Sequence, residues 1–277
     1  MSLACSATGR DGKIGSMTTS VPRRDRVLRC VISTADRGST LDNDGMLRAM
    51  TAMRDPGPAT GAILLTGGGA NFCTGGDVGA FAAAGHSVGP AVEAMAGEFH
   101  TFARALAACP VPVIAAVHGW AAGAGMSIVC LADIVIAGSS ARFRPGYPGI
   151  GFSPDGGMSW TLPRLVGAAR ARHILLTDQV LDAGQALDLG LVAVVVPDDQ
   201  LTTEAGRLAA RLAAGPTAAL GRVKRLVRDG ESRDLDSSLD AEAIAIAASA
   251  AGAEGREGVR AFRERRPARF HDEPAPG

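Results

Sequence analysis

Lysine is almost absent from this chain: there are two, Lys13 and Lys224. A Schiff-base mechanism, which needs a desolvated lysine amine, has little to draw on. Aromatic residues make up only 4% of the sequence, and Tyr147 is the single tyrosine. Neither sign of charge is in excess, with 28 Lys+Arg against 28 Asp+Glu. That excludes a general nucleic-acid binder, because neutralising phosphates needs a basic surplus. No apolar run approaches the ~20 residues of a membrane span. The first 25 residues lack the apolar core of a signal peptide and read as a flexible polar tail, with Met17 a second candidate start. The five cysteines are odd in number and form no close pair and no metal-ligand spacing. Free thiols in a reducing cytoplasm are expected, and no metal.

What is present is glycine, 36 of 277 residues, well above the usual ~7%. It has no collagen-like period, so it points to tight turns and close backbone approaches. The apolar fraction of 47% is ample for a core. Residues 62–66 (AILLT), 111–117 (VPVIAAV) and 133–137 (DIVIA) are short continuous apolar runs, the mark of strands buried on both faces. Residues 27–33 alternate and predict a first strand, and 192–196 a last one. Helices are predicted over 41–53, 91–108, 126–131, from near Asp155, over 168–176 and 183–189, and through most of the chain after 198. This strand–helix alternation followed by a helical third predicts an α/β core with a helical C-terminal subdomain.

Two glycine-rich turns each follow a buried strand. The first is Thr66-Gly-Gly-Gly-Ala-Asn-Phe-Cys-Thr-Gly-Gly-Asp77. The second, residues 119–125 (GWAAGAG), also opens a helix. Neither is a phosphate-binding loop with Gly-Lys-Ser/Thr, and the first carries no clean dinucleotide fingerprint opening a helix. Two such turns at the same ends of neighbouring parallel strands would bring backbone N–H groups together, one of them at a helix N-terminus. That makes an anion or oxyanion site.

These segments carry a resemblance. Residues 65–78 (LTGGGANFCTGGDV), 117–133 (VHGWAAGAGMSIVCLAD), 151–167 (GFSPDGGMSWTLPRLVG), 215–227 and 257–270 (EGVRAFRERRPARF) stand in the order and spacing of the crotonase, or enoyl-CoA hydratase/isomerase, superfamily. The resemblance implies a core of repeated ββα turns, the fold shared with the caseinolytic proteases, over 26–197. It implies a helical trimerisation subdomain over 198–277, and a trimer or dimer of trimers. It also implies an acyl-coenzyme A substrate, with coenzyme A entering as part of the thioester and no separate cofactor, nucleic acid or membrane partner. The two oxyanion N–H groups fall on Gly76 and Ala124. Thr74, Gly75, Asp77, Val78, Trp120, Ser127 and Tyr147 are expected around the acyl group. Arg37, Ser39, Leu41, Phe262 and Arg265 fall where the family holds coenzyme A. His118, before the second turn, reads as a hydrogen-bonder holding the loop.

The pattern departs from a hydratase at the catalytic positions. The two glutamates of the family's hydratases fall on Ser127 and Tyr147, which are poor bases near neutral pH. Hydration needs one group to activate water and another to deliver a proton. Asp155, in Ser-Pro-Asp-Gly-Gly, aligns with the aspartate of some isomerases of the family, including the ring isomerases of phenylacetate breakdown. One carboxylate suffices to shift a double bond. The leading expectation is an isomerase with Asp155 as proton shuttle. The rivals are a hydratase, or a lyase or decarboxylase using the same enolate, a non-catalytic acyl-CoA binder, and a serine hydrolase built on Ser127. The rival role for Asp155 is an ordinary helix cap.

Overall fold

A computed structural model describes residues 25–36, 38–83 and 85–271. Arg37 and all but the last residue of the N-terminal 25 lie outside the described residues. Five strands form a parallel sheet in the order β1 (Val27–Val31), β2 (Ala62–Thr66), β3 (Val113–Val117), β5 (Ile134–Gly138), β8 (Val194–Val196). A second sheet holds β4 (Trp120–Ala122), β6 (Arg142–Arg144) and β7 (Leu181–Asp182). The short second-sheet strands were not visible as sequence patterns, since two or three residues carry no period.

The apolar runs alternate between two cores. Ala62, Leu64, Ile114, Ala116 and Ile136 pack to one side, against Leu201, Ala205, Ala209 and Ala213 of α8 (Leu201–Ala213). Ile63, Leu65, Val113, Ala115, Val117 and Val135 face the other side. There they meet α1 (Asn43–Arg54), α3 (Val88–Ala108) and α4 (Ala124–Leu131). Both faces of the sheet are therefore covered, as continuous apolar strands require. α8 follows residue 198 but forms one of these covering layers. The helices that extend beyond the sheet are α9 (Thr217–Gly230), α10 (Leu235–Ala251) and α11 (Ala253–Glu264).

α2 (Val78–Ala83) follows the first glycine turn. α3 starts three residues earlier than its apolar period indicates, at Val88. Pro90 falls in its first turn, where no N–H partner is needed. α5 (Met158–Val166) starts later than the position of Asp155 predicts, and its cap is Gly157. α6 (Ala168–Thr177) follows, and α7 (Ala183–Asp188) is closed by a capping box between Asp182 and Gln185. Cys30, Cys73, Cys109 and Cys130 are all free and buried.

Candidate active site

β2 and β3 are parallel neighbours, so the loops after them leave the same edge of the sheet. The backbones of the two loops are laced together. Phe72 N–H donates to His118 O at 2.8 Å, Cys73 N–H to Trp120 O at 3.1 Å, and Ala122 N–H to Cys73 O at 2.9 Å. His118 holds the same place, its ring Nε2 bonded to Gly69 O at 2.8 Å. Such closeness needs glycine. A Cβ on Gly125 would lie 2.1 Å from Cys73 O. Gly75 has a φ of +103°, a region open mainly to glycine.

Leu41 N–H donates to Gly75 O at 2.8 Å. In a trans peptide the following N–H, that of Gly76, points the opposite way. Ala124 is the first residue of α4, so its N–H has no partner within the helix. Among the described residues neither N–H donates to a protein group. Both residues line one cavity of about 920 Å³, together with Leu41, Thr74, Gly75, Asp77, Val78, Tyr147 and Asp155. Its apolar walls include Val92, Met95 and Phe99 from α3 and Ile150 and Phe152 from the segment after β6.

Asp155 does not cap α5. That helix is capped at Gly157 without any side-chain bond. The Asp155 Oδ1 instead accepts from the Tyr147 hydroxyl at 2.7 Å. Ser127, fully buried on α4, lies behind them. Its Oγ donates to Asp155 O at 3.0 Å and stands 3.2 Å from Tyr147 Oη. Burial, then the neighbouring Asp155 carboxylate, push the Tyr147 phenol far above its ordinary range. Tyr147 is therefore a donor and not a base. The Tyr147 loop is held by Asp178, which accepts from Gly146 N–H at 2.7 Å and from the Arg144 guanidinium at 2.6 and 2.9 Å. Nothing in the sequence around Asp178 announced that role.

The structure does not bring the other expected residues to the cavity wall. Ser39 is buried behind the first loop: its Oγ accepts from Asn71 N–H and its carbonyl from Thr74 N–H. Its φ of +63° explains how the chain turns there. Trp120 lies on β4, its N–H donating to Asn71 Oδ1, and does not line the cavity. Ser127 lies one layer behind the wall. Phe262, 86% exposed, and Arg265, the cap of α11, stand on the C-terminal helices. Ser127 has no histidine among its hydrogen-bond partners, so the hydrolase arrangement, which needs one, is not assembled. Lys224 is on α9, paired with Asp133 at 2.8 Å.

The family model described as Enoyl-CoA hydratase/isomerase matches residues 42–273. The chain belongs to that family. It has the crotonase fold, and it is an acyl-CoA enzyme by family. It is 40% identical over 211 residues to 1,2-epoxyphenylacetyl-CoA isomerase of Escherichia coli, covering 75% of this chain and 80% of that protein. It is 32% identical over 247 residues to crotonyl-CoA hydratase of Syntrophomonas wolfei, covering 84% of this chain and 89% of that one. The solved enoyl-CoA hydratase of Polaromonas sp. JS666 superposes with a TM-score of 0.83 at 32% identity, covering 89% of this chain and 97% of that one.

Proposed function

We propose that this family member isomerises an enoyl-CoA, with Gly76 and Ala124 N–H groups binding the thioester oxygen and Asp155 carrying the proton. The observation that carries the reading is the placement of Asp155: it lines the same cavity as Gly76 and Ala124, and its side chain caps no helix. Asp155 takes a proton from the carbon next to the carbonyl. The C–H pair then spreads into an enolate whose negative oxygen is held by the two donors. Such donors act most strongly on charge that develops during reaction. The same carboxyl returns the proton to the far end of the conjugated system, so the double bond moves and nothing is gained or lost. The Ser127 and Tyr147 hydroxyls, at the positions of the hydratase glutamates, each give their proton to Asp155 and offer no second base. Asp155→Asn should lower kcat by about 10²–10⁴-fold, the usual contribution of a general base, with acyl-CoA binding retained. Unchanged turnover would remove Asp155 from this role.

The protein is further proposed to assemble as a trimer or dimer of trimers through α9–α11. Val227, Leu235, Ile244 and Ile246 there are each about 70% exposed, more apolar surface than a soluble helix face normally leaves open. Phe262 and Arg265 would reach a neighbouring subunit's coenzyme A from that surface, and Arg37 and Leu41 would hold the nucleotide end; Ser39, buried behind the first loop, would only shape the turn between them. Sedimentation of the pure protein tests the assembly; a monomer at micromolar concentration contradicts it.

A further inference from the structure

We infer that Tyr147 is a positioning residue: it holds Oδ1 of Asp155 as a permanent acceptor, so that the shuttled proton rides on Oδ2 alone. This rests on the isomerase reading above.

The geometry gives Asp155 two unlike oxygens. Oδ1 takes the Tyr147 proton at 2.7 Å. Oδ2 has no protein donor among the described residues, and the residue lines the cavity. The Tyr147 side of the pair is closed. Tyr147 is 9% exposed and Ser127 is fully buried, with its Oγ 3.2 Å from Tyr147 Oη and its proton given to Asp155 O. The turn is packed closely against its neighbours: a Cβ on Gly156 would sit 2.2 Å from the Phe99 ring and 3.0 Å from Ser127 Cβ. Tyr147 keeps its proton across the working pH range, since burial and the adjacent carboxylate both oppose its ionisation. It therefore donates whether Asp155 is ionised or carries the substrate's proton on Oδ2. In the first step the C–H bond breaks and Oδ2–H forms, with the electron pair passing to the enolate. In the second, Oδ2–H breaks and a C–H bond forms at the other carbon. A proton confined to Oδ2 faces the substrate and returns to it. Without Tyr147, Oδ1 could also take up a proton and exchange it with water.

The test compares wild type, Tyr147→Phe and Asp155→Asn on trans-3-hexenoyl-CoA in heavy water. Asp155→Asn is expected to lose the double-bond shift. Tyr147→Phe is expected to keep it, with kcat about 10- to 100-fold lower, the span covered by one hydrogen bond to a charged group. Its KM should be little changed, and a larger share of its product should carry solvent deuterium. A merely structural loss would not move that share. Wild-type kcat and deuterium share in Tyr147→Phe, with Asp155→Asn inactive, would overturn the positioning role alone. An Asp155→Asn enzyme that still shifts the bond would overturn the isomerase reading beneath it. Should Tyr147→Phe fail to fold, the single tyrosine allows its replacement by 3-fluorotyrosine throughout the chain. Its one fluorine resonance is expected to shift on adding Asp155→Asn, and an unmoved resonance would overturn the contact.

Discussion

Leu41 N–H donates to Gly75 O at 2.8 Å, which joins the segment just before α1 to the first glycine turn. That one bond turns the Gly75–Gly76 peptide so that the Gly76 N–H is directed away from Leu41, on a residue that lines the cavity opposite the free end of α4. The oxyanion pair proposed above would thus be built from backbone alone, on two loops locked to each other by hydrogen bonds.

Removing one donor tests that pair. Ala124 is the first residue of α4, where proline fits a helix and merely lacks the N–H. Ala124→Pro is expected to lower kcat about 10²–10³-fold, while its thermal midpoint stays near wild type. Steady-state kinetics beside a melting curve checks it. Wild-type kcat in a folded variant would mean that Ala124 is not a donor to the transition state.

The five strands of the parallel sheet, both glycine turns and the place of Gly76, Ala124 and Asp155 along the chain were legible in the sequence, because buried strands and glycine loops leave strong local patterns. What was not legible comes from contacts far apart in the chain. Tyr147 meets Ser127, 20 residues away, and the Tyr147 loop is held by Asp178. Ser39 and Trp120 were expected at the substrate, but hydrogen bonds to Asn71 hold both outside the cavity wall. A helix cap was the rival role for Asp155, and the chain's course through Gly156 and Gly157, both at positive φ, moves the start of α5 beyond its side chain.

The loop junction has no room to spare. Gly125→Ala places a Cβ 2.1 Å from the carbonyl of Cys73, a backbone atom that cannot rotate away. A loss of about 2–4 kcal/mol is expected, at the upper end for overpacking. Thermal unfolding reads it as a drop of roughly 2–4 °C per kcal/mol for a chain of this size. A variant as stable as wild type would show that the loops can part.

Asp133 accepts from Val113 N–H at 2.7 Å and pairs with Lys224 at 2.8 Å. Burial raises the Asp133 carboxyl and Lys224 opposes that rise. Lys224→Met leaves the carboxylate without its cation and should destabilise by about 2–4 kcal/mol. Adding Asp133→Asn should recover part of the loss, since the uncompensated charge goes with it. Urea melts of the three variants check this. A double variant no better than Lys224→Met would place the cost elsewhere.

The buried thiols set an alkaline limit. Burial pushes Cys30 up to about 11, and Cys73 and Cys130 up to about 12. Each folded value lies above that of the unfolded chain, so this stability is complete below about pH 8.5. It is lost as pH rises further, when the unfolded thiols ionise and the folded ones do not. Denaturant midpoints measured from pH 8 to 11 should fall steadily. A thiol reagent should leave these three cysteines unlabelled in the native protein. Rapid native labelling would contradict their burial.

The most direct measurement is to give the pure protein a 3-enoyl-CoA, a 2-enoyl-CoA and a malonyl-type thioester in heavy water and follow the products by chromatography and mass spectrometry. The proposed roles, Asp155 as single proton carrier and Gly76 and Ala124 as oxyanion donors, predict a shifted double bond in the 3-enoyl substrate, some deuterium exchange, and no added water. Addition of water across the 2-enoyl substrate, or loss of carbon dioxide from the malonyl one, without any double-bond shift, would contradict it.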